Sequence, residues 1–180
     1  YLEGQEPGSK ISEKQIRERM EVIAPYTKWI RSFSCTDGNE LIPGIAHEFG
    51  LKTMVGAWLG TNNRINEEEI TNAINIAKQG HADILAVGNE VMYRGDLSEE
   101  ELLDFIHRAK NAVPDVPVGY VDAYYEFEDR PKITEACDVI LANCYPFWEG
   151  CHIDHSFLYM KDMYHRAVRA GKGKPVYISE

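Results

Sequence analysis

The chain has 180 residues, of which 44% are apolar and 27% charged, and it carries a formal net charge of −10 at pH 7. This length allows a sizeable core in one domain, which we take to span residues 1–180. The acidic balance argues against a nucleic-acid partner, because phosphate binding needs a basic face, whereas a neutral glycan is indifferent to charge. No stretch has the length and apolar character of a transmembrane helix.

Apolar strand-like runs and amphipathic helices alternate along the whole chain, with no linker or internal repeat between them. Ser12 with Gln15 and Ser98 with Glu101 have the spacing of a capping box, which predicts that a helix begins at each. Asn66 with Glu69 is interpreted in the same way. The predicted strands cover residues 28–34, 52–58, 83–90, 117–121, 138–145 and 174–179, and the other predicted helices lie near 38–49, 130–137 and 154–170.

This alternation is the spacing of βαβ units, which build either an open doubly wound sheet or part of a (β/α)₈ barrel. A full barrel typically needs ~250 residues, so we expect a first strand and a last βα unit to lie outside this sequence. A doubly wound sheet that binds a nucleotide is disfavoured, because no Gly-rich phosphate loop follows any of the strands.

Two of the predicted strands end in a glutamate. The apolar run from residue 84 ends in Asn89 and Glu90, and the run from residue 175 ends in Glu180. The carboxyl ends of parallel strands line the crevice where α/β proteins bind ligands. Two carboxylates there are what glycoside hydrolysis requires. A solvated carboxylate without a catalytic role is the alternative for each, and it is the stronger one for Glu180, the last residue.

Three motifs in order resemble those of glycoside hydrolase family 17, the β-1,3-glucanase family in clan A of retaining (β/α)₈ glycosidases. Residues 87–91 look like its acid/base motif on the fourth strand, residues 143–147 like its sixth-strand signature, and residues 178–180 like the start of its seventh-strand nucleophile motif. Residues 29–38 are similar to the second-strand region of bacterial members. The resemblance implies an α/β fold of the TIM type, incomplete in this chain and covering roughly strands 2–7.

The resemblance also implies a role for each polar residue at these strand ends. Glu90 would be the general acid and later the base, Glu180 the nucleophile, and Asn89 a hydrogen-bond partner of the 2-hydroxyl of the sugar in subsite −1. Arg31 would orient the nucleophile and keep it ionised, although an ordinary buried ion pair is compatible with the same position. Tyr145 would donate to the nucleophile, or else be a core aromatic with a satisfied hydroxyl.

Aromatic residues just past strand ends suit a glycan cleft, because sugar rings present apolar C–H faces that stack on them. Trp58 and Trp148 lie at such points, and Tyr124 and Tyr125 follow another strand. Trp148 is the better candidate for substrate binding because it follows the family motif. Core packing is an equally common role for an aromatic residue in a loop.

The predicted function is cleavage of a neutral β-1,3-glucan by a retaining double displacement, without a metal or organic cofactor. A transglycosylase and a non-catalytic or truncated carbohydrate-binding barrel are the alternatives. A secreted, periplasmic or cell-surface location is favoured by the substrate class, and the oligomeric state is open. The group at Cys144, Cys151, His152 and His155 matches no standard zinc spacing, and a Cys144–Cys151 disulfide is conceivable in an exported protein.

Overall fold

The computed structural model describes residues 2–6 and 8–180, which form one parallel sheet with helices between its strands. The strands are β1 (Trp29–Ser32), β2 (Lys52–Ala57), β3 (Ile84–Asn89), β4 (Val118–Ala123), β5 (Val139–Asn143) and β6 (Val176–Ile178). The helices are α1 (Glu13–Ile23), α2 (Ile42–Glu48), α3 (Asn63–Lys78), α4 (Val91–Arg94), α5 (Glu99–Ala112), α6 (Glu126–Asp129), α7 (Pro131–Ala136) and α8 (Ile153–Gly171), with 3₁₀ turns at Ala24–Tyr26 and Asn39–Leu41.

The strand order decides between the two predicted architectures. Each strand pairs in parallel with its neighbour in sequence, and the order across the sheet is β1 to β6 without a reversal. A doubly wound sheet reverses its strand order at a switch point, whereas a (β/α)₈ barrel does not. Within the described residues β1 and β6 each have one partner strand, so the sheet is an open half-barrel. The predicted incomplete barrel is confirmed.

Successive side chains along the strands divide between two apolar layers, as the strand period of two requires. The layer on the concave face contains Met54, Ile84, Val121 and Leu141. The layer between the sheet and the helices contains the adjacent residues Val55, Leu85, Tyr120 and Ile140. By this alternation Asn143 lies on the concave face of β5, whereas Asp122 lies on the helix side of β4. No helix of the described ranges combines the length and the apolar character needed to span a membrane.

The helix starts confirm one predicted capping box fully and another in part. Ser98 and Glu101 exchange both bonds of the box at α5. Ser12 accepts a hydrogen bond from the Gln15 amide, but the Gln15 side chain bonds Gln5 instead of returning to Ser12. The returning half of that predicted box is therefore absent.

The prediction that Asn66 and Glu69 begin a helix is wrong. Helix α3 begins earlier, and Asn62 caps it by accepting from the amides of Arg64 and Ile65. Asn66 and Glu69 lie inside the helix and are buried. Their Asn-x-x-Glu spacing mimics a cap, but it places both polar side chains on the face that packs against the sheet.

Glu69 holds together the loops that follow β1 and β2. Its carboxylate is 1% exposed and accepts from the backbone amides of Cys35, at 2.7 Å, and Trp58, at 3.1 Å. It also accepts from the hydroxyls of Ser34 and Thr36. Four donors satisfy this buried charge, so the carboxylate ties both loops to α3 at the carboxyl edge of the sheet.

We predict that Glu69→Ala lowers the free energy of unfolding by about 2–4 kcal/mol, because the amides of Cys35 and Trp58 then lose their buried acceptor. Glu69→Gln is the matched control. Its amide oxygen can serve the two backbone amides while the two hydroxyls turn to accept from its NH₂ group, so the expected loss is less than half as large. Urea unfolding of both variants measures the difference, and equal losses would contradict the assigned hydrogen-bond roles.

Candidate active site

The end of β3 turns sharply at the motif that contains Glu90. The pairing of β3 with β4 shifts between Ala86 and Asn89, and bulges of this kind redirect side chains. Gly88 has a φ of +85°, and a Cβ there would lie 2.9 Å from the Val91 side chain. Glu90 itself has φ 52° and ψ 31°, the left-handed region that a non-glycine residue rarely adopts. The backbone therefore aims the half-buried Glu90 side chain at the sheet edge.

Glu180 lies just after β6 and is held by two donors. Arg31 Nη1 donates to Glu180 Oε1 at 2.5 Å, and the hydroxyl of Tyr145 donates to Glu180 Oε2. The same Arg31 nitrogen donates to the carbonyl of Ser179 at 3.2 Å. A charge-assisted bond to one oxygen and a phenolic donor to the other fix the orientation of this carboxylate. The predicted pairing of Arg31 and Tyr145 with Glu180 is present.

Arg31 also reaches the residue that precedes Glu90. Its Nη2 donates to Asn89 Oδ1 at 2.5 Å, and its guanidinium lies 4.1 Å from the ring centre of Phe33. Only 12% of the Arg31 side chain is exposed, and its Nε has no hydrogen-bond partner among residues 2–6 and 8–180. Arg31 therefore bridges the ends of β3 and β6 from inside the half-barrel.

A second bridge joins the same two strand ends through β5. Asn143 Nδ2 donates to Glu90 Oε1 at 2.9 Å, and Ser179 Oγ donates to Asn143 Oδ1 at 2.7 Å. Since Asn89–Glu90 and Ser179–Glu180 are covalent neighbours, the two bridges close a circuit. We call it the carboxylate ring, and its members in order are Glu90, Asn143, Ser179, Glu180, Arg31 and Asn89.

Tyr145 faces both carboxylates of this ring. Burial, the hydrogen bond to Glu180 and the negative charges of Glu180 and Glu90 all raise the pKa of its hydroxyl. The tyrosine is thus a neutral hydrogen-bond donor at any physiological pH. Because Tyr145 donates to Glu180 and lines the same pocket as Glu90, the two glutamates share one site at the carboxyl edge of the sheet.

A pocket of about 350 Å³ opens beside Glu90. Tyr93, Tyr125, Tyr145 and Trp148 supply aromatic walls, and Asn143 and Glu149 supply polar ones. The Trp148 side chain is 76% exposed, as a stacking platform requires.

The other predicted aromatic candidates lie elsewhere. Tyr124 is buried in the core. Trp58 is not among the residues lining this pocket. The Arg94 guanidinium lies 4.7 Å from the centre of the Trp58 ring and so covers one face of the indole.

Three contributors to the site were missed in the sequence. Asn143 and Ser179 each lie at the end of an apolar strand, as Asn89 does. Their position at a strand end is therefore a signal in the sequence that could have identified them. Arg94 donates to the carbonyls of Asn89 and Leu59 and so ties the turn after β3 to the loop after β2. Nothing in the local sequence distinguishes Arg94 from a solvated arginine.

Among residues 2–6 and 8–180, no group of three His, Cys, Asp or Glu side chains is arranged to hold a metal ion. Cys144 and Cys151 are both free thiols, so no disulfide joins them.

The profile of the BtgE/BtgC glycoside hydrolase domain family matches residues 2–180. The chain belongs to this family. A solved structure of a β-1,3-glucanosyltransferase of glycoside hydrolase family 17, from Rhizomucor miehei, superposes with a TM-score of 0.86 at 28% identity, covering 97% of this chain and 67% of that one. The predicted resemblance to family 17 is confirmed.

Curated relatives of this glycoside hydrolase domain are fungal. A glucan 1,3-beta-glucosidase of Schizosaccharomyces pombe is 29% identical over 143 residues, covering 72% of this chain and 44% of the relative. The glucan endo-1,3-beta-glucosidase btgC of Emericella nidulans is 23% identical, covering 79% of this chain and 24% of the relative. The chain therefore spans less than half the length of these two relatives. The similarity of residues 29–38 to bacterial members stays a prediction.

Asp122 of this glycoside hydrolase domain is a buried carboxylate on the helix side of β4. It accepts from the Tyr120 hydroxyl and from the amides of Ala123, at 2.8 Å, and Tyr93, at 3.3 Å. Burial raises the pKa of Asp122 to about 6, although these three hydrogen bonds lower it, and the nearby Glu126 charge raises it further. Folding therefore increases the proton affinity of Asp122.

This pKa predicts a pH dependence of stability. Because the folded-state pKa lies above the unfolded value, the folded protein binds the extra proton between about pH 4 and pH 6, and its stability advantage is lost as pH rises through that window. We expect the free energy of unfolding of the unmodified protein, relative to Asp122→Asn, to fall by about 2–3 kcal/mol from pH 4 to pH 7. Urea unfolding across that range measures it. A difference that stays constant with pH would refute the raised pKa.

Proposed function

We propose that this chain carries the catalytic centre of a retaining glycoside hydrolase that acts on β-1,3-glucan. The observation that carries the proposal is the carboxylate ring, in which hydrogen bonds through Asn143 and Ser179 on one side, and through Arg31 and Asn89 on the other, link Glu90 to Glu180. Retaining hydrolysis needs one carboxylic acid and one carboxylate on either side of the same glycosidic bond. The family and the structural similarity support the same reaction.

In the first step, Glu180 Oε attacks the anomeric carbon while protonated Glu90 gives its proton to the departing glycosidic oxygen. The products are a glycosyl ester on Glu180, an ionised Glu90 and a released sugar with a new hydroxyl. Arg31 and Tyr145 hold the Glu180 carboxylate in position until the bond forms. Asn89 would hydrogen-bond the 2-hydroxyl of the bound sugar, where such a bond strengthens as charge develops in the transition state.

In the second step, ionised Glu90 takes a proton from water, and the hydroxyl oxygen displaces Glu180 from the anomeric carbon. Both carboxyl groups return to their starting states, and two inversions leave the anomeric configuration unchanged. Formation of the ester removes the Glu180 charge that faces Tyr145 and Glu90.

The substrate class follows from the chemistry of the cleft and from the names of the relatives. The general acid lies on the side of the leaving group, so the aromatic pocket beside Glu90 would bind the sugars that depart. Trp148 and Tyr125 offer faces for apolar sugar rings, and Glu149 offers an acceptor for their hydroxyls. Trp58 would contact sugar only with the indole face that Arg94 leaves free. Relatives named for glucan 1,3-β-linkages support a β-1,3-glucan partner.

We predict that Glu90→Gln and Glu180→Gln each lower kcat on laminari-oligosaccharides by at least about 10³-fold, because each removes a group that takes part in bond making or breaking. Binding measured by calorimetry should persist in both variants. Glu18→Gln, on the exposed face of α1, is the matched control and should retain full activity. Undiminished turnover in either active-site variant would overturn the assignment of the catalytic pair.

A second candidate is glucan transfer, in which an acceptor sugar replaces water in the second step. The similarity to the Rhizomucor miehei glucanosyltransferase favours it, as does an aromatic pocket suited to hold an acceptor against Glu90. The same two glutamates serve both reactions.

Product analysis separates hydrolysis from transfer. If transfer operates, laminaripentaose at rising concentration gives products longer than the substrate, because acceptor sugar competes with water for the ester. Trp148→Ala would then shift the products toward hydrolysis, since it removes acceptor contact and leaves the catalytic pair intact. Shorter sugars alone at every substrate concentration would reject transfer.

A further inference from the structure

The backbone of Glu90 has an unfavourable conformation that the surrounding structure must impose. Its φ of 52° lies in the left-handed region, which is unfavourable for an L-residue because its Cβ crowds the following carbonyl oxygen. Such a residue keeps its conformation only where neighbouring groups over-determine it. The turn that contains Glu90 and helix α4 should therefore have an identifiable set of restraints.

Three consecutive residues of β4 provide these restraints. The amide of Glu90 donates to the carbonyl of Val121 at 2.8 Å. The amide of Met92 donates to the Tyr120 hydroxyl at 2.9 Å, and the amide of Tyr93 donates to Asp122 Oδ2. Strand β4 thus accepts hydrogen bonds from three amides of the turn, and two of the three acceptors are side chains.

The two side chains act as a pair with a defined polarity. The Tyr120 hydroxyl donates a hydrogen bond to the Asp122 carboxylate. Toward other groups the Tyr120 oxygen can therefore act only as a hydrogen-bond acceptor. The Tyr120 oxygen therefore accepts from the Met92 amide, and the Asp122 carboxylate accepts from the Tyr93 amide. Replacing either partner would leave a buried amide or hydroxyl without its partner.

The burial of the Asp122 carboxylate in this pair lowers the stability of the folded protein, so a gain in stability does not explain the pair. Tyr120 and Asp122 are both 0% exposed, and no lysine or arginine of the described ranges forms an ion pair with Asp122. A buried carboxylate without a cation costs free energy that an apolar side chain at the same place would not. The pair stabilises one particular conformation of the turn rather than the fold as a whole.

We propose that Tyr120 and Asp122 are positioning residues for the general acid/base, because they fix the strained turn from which Glu90 extends. The inference rests on the proposed function of Glu90. Neither residue lines the pocket itself, so their effect on the reaction passes through the backbone of the turn. Misplacing Glu90 harms only the steps that need its proton.

Tyr120→Phe tests the proposal because it removes one buried oxygen and nothing else. On laminaritetraose in the full-length protein we expect kcat to fall about 10-fold or more with KM little changed, since a displaced acid loses part of its 10²–10⁴-fold contribution. On a 2,4-dinitrophenyl laminaribioside with azide we expect a loss of less than about 3-fold. The aryl group departs without protonation, and azide displaces the ester without a base, so neither step needs Glu90.

Two controls separate positioning from a general loss of structure. Thr53→Val removes a comparable buried hydroxyl, which donates to the His81 carbonyl at the opposite end of the sheet, and should leave both activities unchanged below its unfolding temperature. Glu90→Ala should lose the laminaritetraose activity and recover with the activated substrate and azide. If Tyr120→Phe does not fold, Asp122→Asn is measured in the same way and should show the same selective loss.

The outcomes are distinguishable. Equal losses of Tyr120→Phe on both substrates, or no loss on laminaritetraose, would overturn the positioning role while the Glu90→Ala result still supports the proposed function. Failure of azide and the activated substrate to recover Glu90→Ala would instead reject Glu90 as the acid/base.

Discussion

The arrangement of this site depends on the ion pair between Arg31 and Glu180. Glu90 and Glu180 lie at one edge of a parallel sheet, and the part-buried Glu180 carboxylate needs a donor partner there. The Arg31 guanidinium supplies it, since one of its nitrogens binds Glu180 and the other binds the neighbour of Glu90. A planar donor with two parallel N–H groups can span the two strand ends, whereas a lysine ammonium on a flexible stem could not fix both. Because Arg31 is buried between the strands, the sheet fixes how far apart the two carboxylates lie.

The alternation of side chains along the strands separates the reacting groups from those that hold them. Asn143 lies on the concave face, where it contacts Glu90, whereas Tyr120 and Asp122 lie on the helix side of β4 and bind the backbone of the turn. Glu69 does the same from α3 for the loops that follow β1 and β2. Buried polar groups therefore concentrate at the carboxyl edge, where loops replace the regular hydrogen bonds of the sheet and leave amides that need acceptors.

The mispredicted helix start and the covered face of Trp58 share one physical origin. Asn66 and Glu69 have the spacing of a helix cap, but the cap is Asn62. Asn66 bonds the backbone of Gly60 in the loop before the helix, and Glu69 binds the amide of Cys35, which is distant in sequence. Trp58 follows a strand end as Trp148 does, yet Arg94 covers one face of its ring while Trp148 stays largely exposed. A local pattern shows that a polar or aromatic side chain is present. Which group it meets depends on tertiary contacts, such as that between Glu69 and Cys35, which lie 34 residues apart.

The sequence by itself determined the parallel α/β class, the order of the elements and the two strand-end glutamates, because hydrophobic periodicity and abrupt polar endings are local properties. The tertiary structure alone decided that Asn143 and Ser179 complete the carboxylate ring, that Tyr120 and Asp122 support the turn at Glu90, and that Trp58 lies apart from the pocket. These are contacts between different strands and loops. They depend on strand register, on the bulge at Gly88 and on the burial of charge, none of which a window of neighbouring residues contains.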